Sequence, residues 1–340
     1  MNATHLSTLC NMLEYRRPHG SIAEGIFRRR YLMDLPGLTE DAHGNLIVKI
    51  GTSPILWSSH TDTVHRSQGV QTLRVNEREH TIRLSRRSKR TSNCLGADDT
   101  VGVFLMREMI LRGVAGTYIF HYGEESGGIG SSAIRDCEPA TLSHVLYAIA
   151  LDRHGTSDVI THQFGGRTAS DVFARSLASQ LPGNYAPTHG IFTDTANYAD
   201  MIPECTNVSV GYYHEHRQDE YVDYAHVGIL LEALCEVNAD RLTCARDPYA
   251  PDPDILYYQT KRDRAYRERF DSRFDVPLWR DTPSAYLNQL ADYDDRELCP
   301  VCEYVILDPS DDYPIVDDYC TCEGEYTAED LKFLRYLKGV

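Results

Sequence analysis

Five segments of this 340-residue chain place imidazole and carboxylate side chains at spacings that could do chemistry. They are Ser59-His60-Thr61-Asp62-Thr63-Val64, Leu95-Gly96-Ala97-Asp98-Asp99, Gly123-Glu124-Glu125-Ser126-Gly127, Leu151-Asp152-Arg153, and His214-Glu215-His216 with Glu220. Together they offer ligands for a pair of zinc-like ions and one spare carboxylate to act on water, the components of metal-assisted hydrolysis. No single segment decides this, because an isolated His is ordinarily hydrogen-bonded or solvated and adjacent glutamates ordinarily open a helix. The weight lies in all of them together, in order.

The residue types fit that chemistry. A catalytic zinc takes nitrogen and carboxylate oxygen at about 2.0–2.2 Å and keeps one position open. His60 offers one ring nitrogen, and Asp62 can accept a hydrogen bond from the other, which fixes the tautomer and raises ligand basicity. The adjacent Glu124 and Glu125 point in different directions on an extended or turning backbone, so one can bind metal while its neighbour faces the reacting water. Asp98 lies in a loop that opens into the helical pattern Val101–Leu111. Asp152 ends the apolar run 145–151 and His216 follows the run 207–213. Both therefore sit at carboxyl ends of expected strands, where open α/β sheets place their ligands.

On these motifs residues 1–240 resemble the two-metal exopeptidases and deacylases, among them peptidase T, carboxypeptidase G, acetylornithine deacetylase and the small double-zinc aminopeptidases. The resemblance implies that Asp98 bridges two ions, that His60, Asp98 and Asp152 hold one, and that Asp98, Glu125 and His216 hold the other. Zinc is the implied metal, with cobalt or manganese as substitutes. It makes Glu124 the general base, which deprotonates the water and passes the proton to the leaving nitrogen, with Asp62 as its catalytic companion behind His60. His214 competes with His216, but the family's ligand stands four residues before a Glu, as His216 does before Glu220. Asp99 reads as structural, following the bridging Asp across an unusual peptide bond in relatives.

Length allows one large α/β domain with an appendage, or two domains. A hydrophobic fraction of 42% and a charged fraction of 25% are those of an ordinary soluble globular protein. The chain has no apolar run of the roughly 18 residues that a membrane helix needs. Its N-terminus reads as an amphipathic helix after a Thr cap, not a signal peptide, so a cytoplasmic location and reduced thiols are expected. Cys10, Cys94, Cys137, Cys205, Cys235 and Cys244 are scattered and expected to be buried or inert. The net charge of −16 argues against nucleic acid and anionic membranes as partners. The excess is concentrated late: residues 292–330 hold fourteen Asp or Glu and one basic residue, Arg296.

Apolar runs at 46–50, 55–59, 117–122, 145–151 and 206–212 alternate with helical periodicities near 22–33, 98–113, 168–181 and 224–238. This predicts a three-layer α/β/α fold around a central, mostly parallel mixed sheet. Segment 69–85 reads as a hairpin that leads into a basic loop, Arg86–Arg90, which could contact a substrate carboxylate. Only 63 residues separate Asp152 from His216, and the segment from Gly166 to Ala178 already reads as a core helix. The lid and dimerisation domain of part of the family therefore has no room, and the architecture is closest to the lidless single-domain aminopeptidases.

Residues 1–244 are expected to form the catalytic domain and 245–340 an acidic extension, joined by the Pro/Asp segment 247–254. The extension holds a basic stretch, 261–273, and an expected helix, 327–337. It also holds Cys299-Pro-Val-Cys302 and Cys320-Thr-Cys322, which read either as a structural zinc site or as four free thiols. The expected substrate is a short peptide cut at its N-terminal bond. A rival is an N-acyl amino acid deacylase or carboxypeptidase, with Arg153 or the 86–90 loop holding the substrate carboxylate. By resemblance Asp, not Glu, at position 152 favours an aminopeptidase. A third reading, an inactive metal-binding scaffold with a partner-recruiting tail, has no use for Glu124.

Overall fold

The computed structural model of the chain describes residues 1–250 except Gly165. Side-chain alternation builds its layers. In strand Ile55–His60, Ile55 and Trp57 enter one buried apolar cluster and Leu56 enters another. Tyr118 and Phe120 oppose Ile119 in Gly116–His121, and Tyr147, Ile149 and Leu151 oppose Ala148 in Tyr147–Arg153. A strand apolar on both faces needs cover on both, and helices supply it.

At the centre, strands Glu204–Ser209, Tyr147–Arg153, Ile55–His60 and Gly116–His121 run parallel in that spatial order. Leu46–Ile50 joins antiparallel at one side and Asp158–Gln163 at the other. The result is the three-layer α/β/α fold with a mostly parallel mixed sheet. On one face lie helices Ala3–Leu13, Ala97–Leu111 and Tyr224–Cys235, and on the other Ile129–Cys137. Helix Ala97–Leu111 is buried on nearly every side and lies directly on strand Tyr147–Arg153. A Cβ at Gly102 would sit 2.2 Å from the Leu151 carbonyl oxygen, so only glycine permits this approach.

A four-stranded sheet stands apart from the central one. Hairpin strands Leu73–Asn76 and Thr81–Leu84 pair as expected, and Tyr221–Asp223 and Tyr212–Tyr213 extend them. That extension pins both ends of the loop that carries His216. Between Asp152 and His216 the chain forms Asp158–Gln163, Asp171–Ala178 and Ala186–His189, all of them parts of the layers, so no lid is inserted.

Several local expectations are corrected. The first helix is capped by Asn2, whose side chain accepts from the His5 N–H, and not by a Thr. The core helix expected from Gly166 begins only at Asp171, because Ser170 caps it and Gly166–Arg167 pairs with the preceding strand. Among the cysteines, Cys94 and Cys205 are buried but Cys137 and Cys244 are exposed thiols. Near the end of the described residues the chain stays anchored to this fold. Ala245 and Arg246 donate their N–H groups to buried Glu204, and the Arg246 guanidinium caps the carbonyls of Ala199, Ile202 and Pro203. No helix among the described residues is long and apolar enough to cross a membrane. The cysteine cluster Cys299, Cys302, Cys320 and Cys322, the basic stretch and the C-terminal helix lie outside the described residues.

Candidate metal centre

Each expected ligand is delivered by the end of an element. His60 closes its central strand, Asp152 lies one residue before the end of the next, and Asp98 opens the buried helix. Glu124 and Glu125 follow strand Gly116–His121 in a tight turn. His216 stands in the loop between the paired strands Tyr212–Tyr213 and Tyr221–Asp223 with φ 64.

These groups converge. His60 Nε2 lies 3.1 Å from Asp98 Oδ1 and 3.5 Å from Asp152 Oδ1. The other Asp98 oxygen, Oδ2, lies 3.2 Å from His216 Nε2, which is 3.3 Å from Glu125 Oε1. Glu124 Oε2 is 3.9 Å from His60 Nε2. Two ligands at about 2.0–2.2 Å from a tetrahedral ion must lie roughly 3.3–3.6 Å apart, so these separations suit shared cations. Glu125 Oε1 points the same way: it is buried with no hydrogen-bond partner, lying near His216 without hydrogen-bond geometry.

Packing four carboxylates together has an electrostatic consequence. Burial, joined by neighbouring negative charge, pushes Glu124 well above the ordinary carboxylate range and Asp152 up to about 7. Burial and the Asp98 charge raise Glu125 as well. Asp98 runs the other way in spite of its burial, because hydrogen bonds from His216 and His60 hold it well below the usual range. Contact with Asp98 and Glu125 pushes the His216 imidazole up to about 11. A cluster that strains to gain protons is one that cations would relieve.

Asp62 does more than orient His60. Its Oδ1 is 3.4 Å from His60 Nδ1, and its two oxygens accept the N–H groups of Glu124 and Glu125 at 3.2 Å each. One carboxylate thus fixes a ligand ring and the turn carrying the paired glutamates. Asp99 follows a cis Asp98–Asp99 bond and accepts from the backbone N–H groups of His60 and Gly102. Its side chain also lies close enough to His60 and Asp152 to share a cation with them. Its two backbone bonds suit the structural reading.

Three supports were not legible as such. Glu220, which enters the sequence pattern only as a spacing marker, is fully buried and accepts the backbone N–H groups of Leu95, Gly96, Ala97 and Asp98. It shapes the loop that aims Asp98. Burial and the Asp98 charge push its carboxyl up to about 8, against the four N–H donors that favour the ionised form. Arg17, also fully buried, donates to the Thr61 carbonyl at 2.6 Å and the Thr100 hydroxyl at 2.8 Å and lies over the Phe27 ring. Asp152 is held by the Thr193 hydroxyl at 2.8 Å, the Tyr212 hydroxyl at 3.3 Å and an exchange of bonds between its backbone and the Asn207 amide.

A cavity of about 380 Å³ opens onto the cluster. Arg153 lines it, with Nε 3.2 Å from Asp158. The basic loop 86–90 does not line it; Lys89 instead offers its carbonyl to Gln218. His214 turns away to pair with Asp219 at 2.9 Å, so of the two competing imidazoles only His216 joins the cluster.

No protein-family model and no curated protein sequence matches the chain. Solved structures do. Aminopeptidase PepT from Bacillus cereus ATCC 10987 superposes with a TM-score of 0.53 at 15% identity, over 68% of this chain and 96% of that one. A tripeptidase from Staphylococcus aureus subsp. aureus Mu50 gives 0.53 at 14% identity, over 70% and 97%. The TET aminopeptidase of the marine sediment archaeon Thaumarchaeota archaeon SCGC AB-539-E09 gives 0.51 at 12% identity, over 70% and 98%. The chain has the fold of these aminopeptidases.

Proposed function

We propose that this chain is a di-zinc metallo-exopeptidase that removes the N-terminal residue of short peptides, with Glu124 as general base. One observation carries the reading: the two oxygens of Asp98 face two different imidazoles, His60 and His216, each with a further carboxylate beside it. In this reading His60, Asp98 and Asp152 hold one ion, and Asp98, Glu125 and His216 hold the other. Two divalent ions there would supply Lewis acidity to the scissile carbonyl and lower the pKa of the attacking water.

The protein groups do the rest. Glu124 reaches toward His60 without ligating geometry of its own, and its buried carboxylate is suited to take the proton from water and hand it to the departing nitrogen. Asp62 keeps Glu124 in place through the backbone. Glu215, anchored by His154, lines the cavity beside His216 and offers a carboxylate to the ammonium of a peptide N-terminus. Arg153, the guanidinium that a substrate carboxylate would need, is engaged with Asp158, which favours an aminopeptidase over a deacylase or carboxypeptidase.

A substrate panel tests this directly. Aminoacyl anilides and free dipeptides should be hydrolysed, N-acetyl amino acids and N-blocked dipeptides should not, and a chelator should abolish turnover until zinc or cobalt is restored. Preferential cleavage of N-acyl substrates would move the assignment to the deacylases. Turnover that survives exhaustive chelation would remove the metals from it.

A further inference from the structure

The cavity is chemically two-sided. Its charged side holds the ligand cluster and Glu215. Its other wall is Ile160, Gly190, Ile191 and Phe192, with no charged group among them. Ile160 is buried on strand Asp158–Gln163 behind Gly190, where a Cβ would lie 2.9 Å from its Cγ2, so glycine there lets the backbone close over the isoleucine. The Phe192 ring packs on Phe164 with centroids 4.7 Å apart and lies against the turn after Glu124–Glu125, where a Cβ at Gly128 would meet its Cζ at 3.0 Å. The Phe164 N–H donates to the Ile191 carbonyl at 2.8 Å, tying the two loops together. Yet Ile191 is 80% exposed and Phe164 73%, an apolar lip beside an acidic site.

We propose that this wall is a specificity subsite that selects peptides with a large apolar side chain next to the scissile bond. The inference rests on the exopeptidase reading and adds the substrate class to it. A leucine or phenylalanine side chain lying against Phe192 and Ile191 removes apolar surface from water on both partners. A lysine or aspartate lying on the same apolar surface loses hydration there. Glycine gains neither.

Two measurements on the full-length, metal-loaded protein test it. Calorimetric titration with free glycine, leucine, phenylalanine, lysine and aspartate reads the wall without requiring turnover, and kinetics on the X-Gly and Gly-X dipeptides of the same residues read it during catalysis. Leucine and phenylalanine should bind about tenfold or more tightly than glycine, lysine or aspartate, with kcat/KM for their peptides favoured by a similar factor. Ile191→Asp, at an exposed position that should not disturb folding, should erase most of that gap and raise the standing of lysine. Phe192→Ser should erase it too, with a thermal melt checking that the fold survives. Equal binding of lysine, aspartate or glycine, or an unchanged order in both variants, overturns the subsite. Should the binding order hold while no peptide is cut, the wall stands and the exopeptidase reading falls. Peptides cut without apolar preference leave that reading intact and overturn the wall, whereas failure to bind leucine or phenylalanine together with failure to cut any peptide overturns both.

Discussion

The two halves of the candidate centre are built differently. His60 and Asp152 end adjacent strands in the middle of the parallel sheet, with side chains 1% and 7% exposed. His216 hangs from a loop outside that sheet, and its side chain is 48% exposed. The first half is therefore positioned by the core of the fold, where any shift of a ligand would disturb packing on both sheet faces. The second is positioned by a short turn whose ends are fixed by a small separate sheet. One ion site should therefore be preformed and retentive, and the other open to exchange and to substrate. Asp98 joins the halves.

The largest effect should follow from breaking that joint. Asp98→Ala should lose both ions, because the bridge serves each, and turnover should vanish with them. His216→Ala should release one ion and leave a folded protein with one, whereas His60→Ala should weaken the inner ion and lower thermal stability as well. Elemental analysis paired with a melting curve separates these outcomes. Retention of both ions by Asp98→Ala breaks the comparison at its root.

Glu220 sharpens it, since this carboxylate reaches from the loop half to the Asp98 segment of the core half. In Glu220→Gln one oxygen of the four-N–H acceptor becomes an amide donor facing N–H groups. Leaving buried donors unpaired costs about 1–3 kcal/mol. Urea unfolding should show a loss of that size, and zinc affinity should weaken for both ions together. A variant as stable as the parent would mean that the Asp98 loop holds its own shape.

The smallest effect should come from removing residues 251–340. A chain ending after residue 250 keeps the Arg246 contacts and every residue of the cluster. It should stay folded and hydrolyse a small aminoacyl substrate at a rate close to that of the full chain. Loss of metal or aggregation of that shorter chain would show that residues 251–340 belong to the catalytic unit.

Much of the candidate site was legible in the sequence because each candidate ligand of the core half follows an apolar run. The runs alone place His60 and Asp152 at strand ends, and the periodicity after Asp98 places a helix behind it. What escaped has physical reasons. Strand Asp158–Gln163 is an antiparallel strand of mixed polarity, and its parallel neighbour Ala186–His189 contains Pro187, which sequence reading rightly treats as strand-breaking except at an edge. Helix Ile129–Cys137 follows a glycine with no side-chain cap and buries only Gly130, Ser131 and Ile134, too little for a clear period. Arg17 carries no local signal at all, since its partners Thr61 and Thr100 are remote in sequence. The spacing from His216 pointed to Glu220, but only the fold shows that its partners are four backbone amides.

The central claim is that Glu124 is the base of a two-metal hydrolase, and Glu124→Gln tests it most directly, because the amide keeps the shape but cannot accept the proton of water. Turnover should be measured beside metal content on the same preparation. Both ions should be retained, the melting curve should be unchanged and kcat should fall by about a hundredfold or more. Near-native turnover in a variant holding both ions would contradict it, and would move the proton-accepting role to another carboxylate of the cluster.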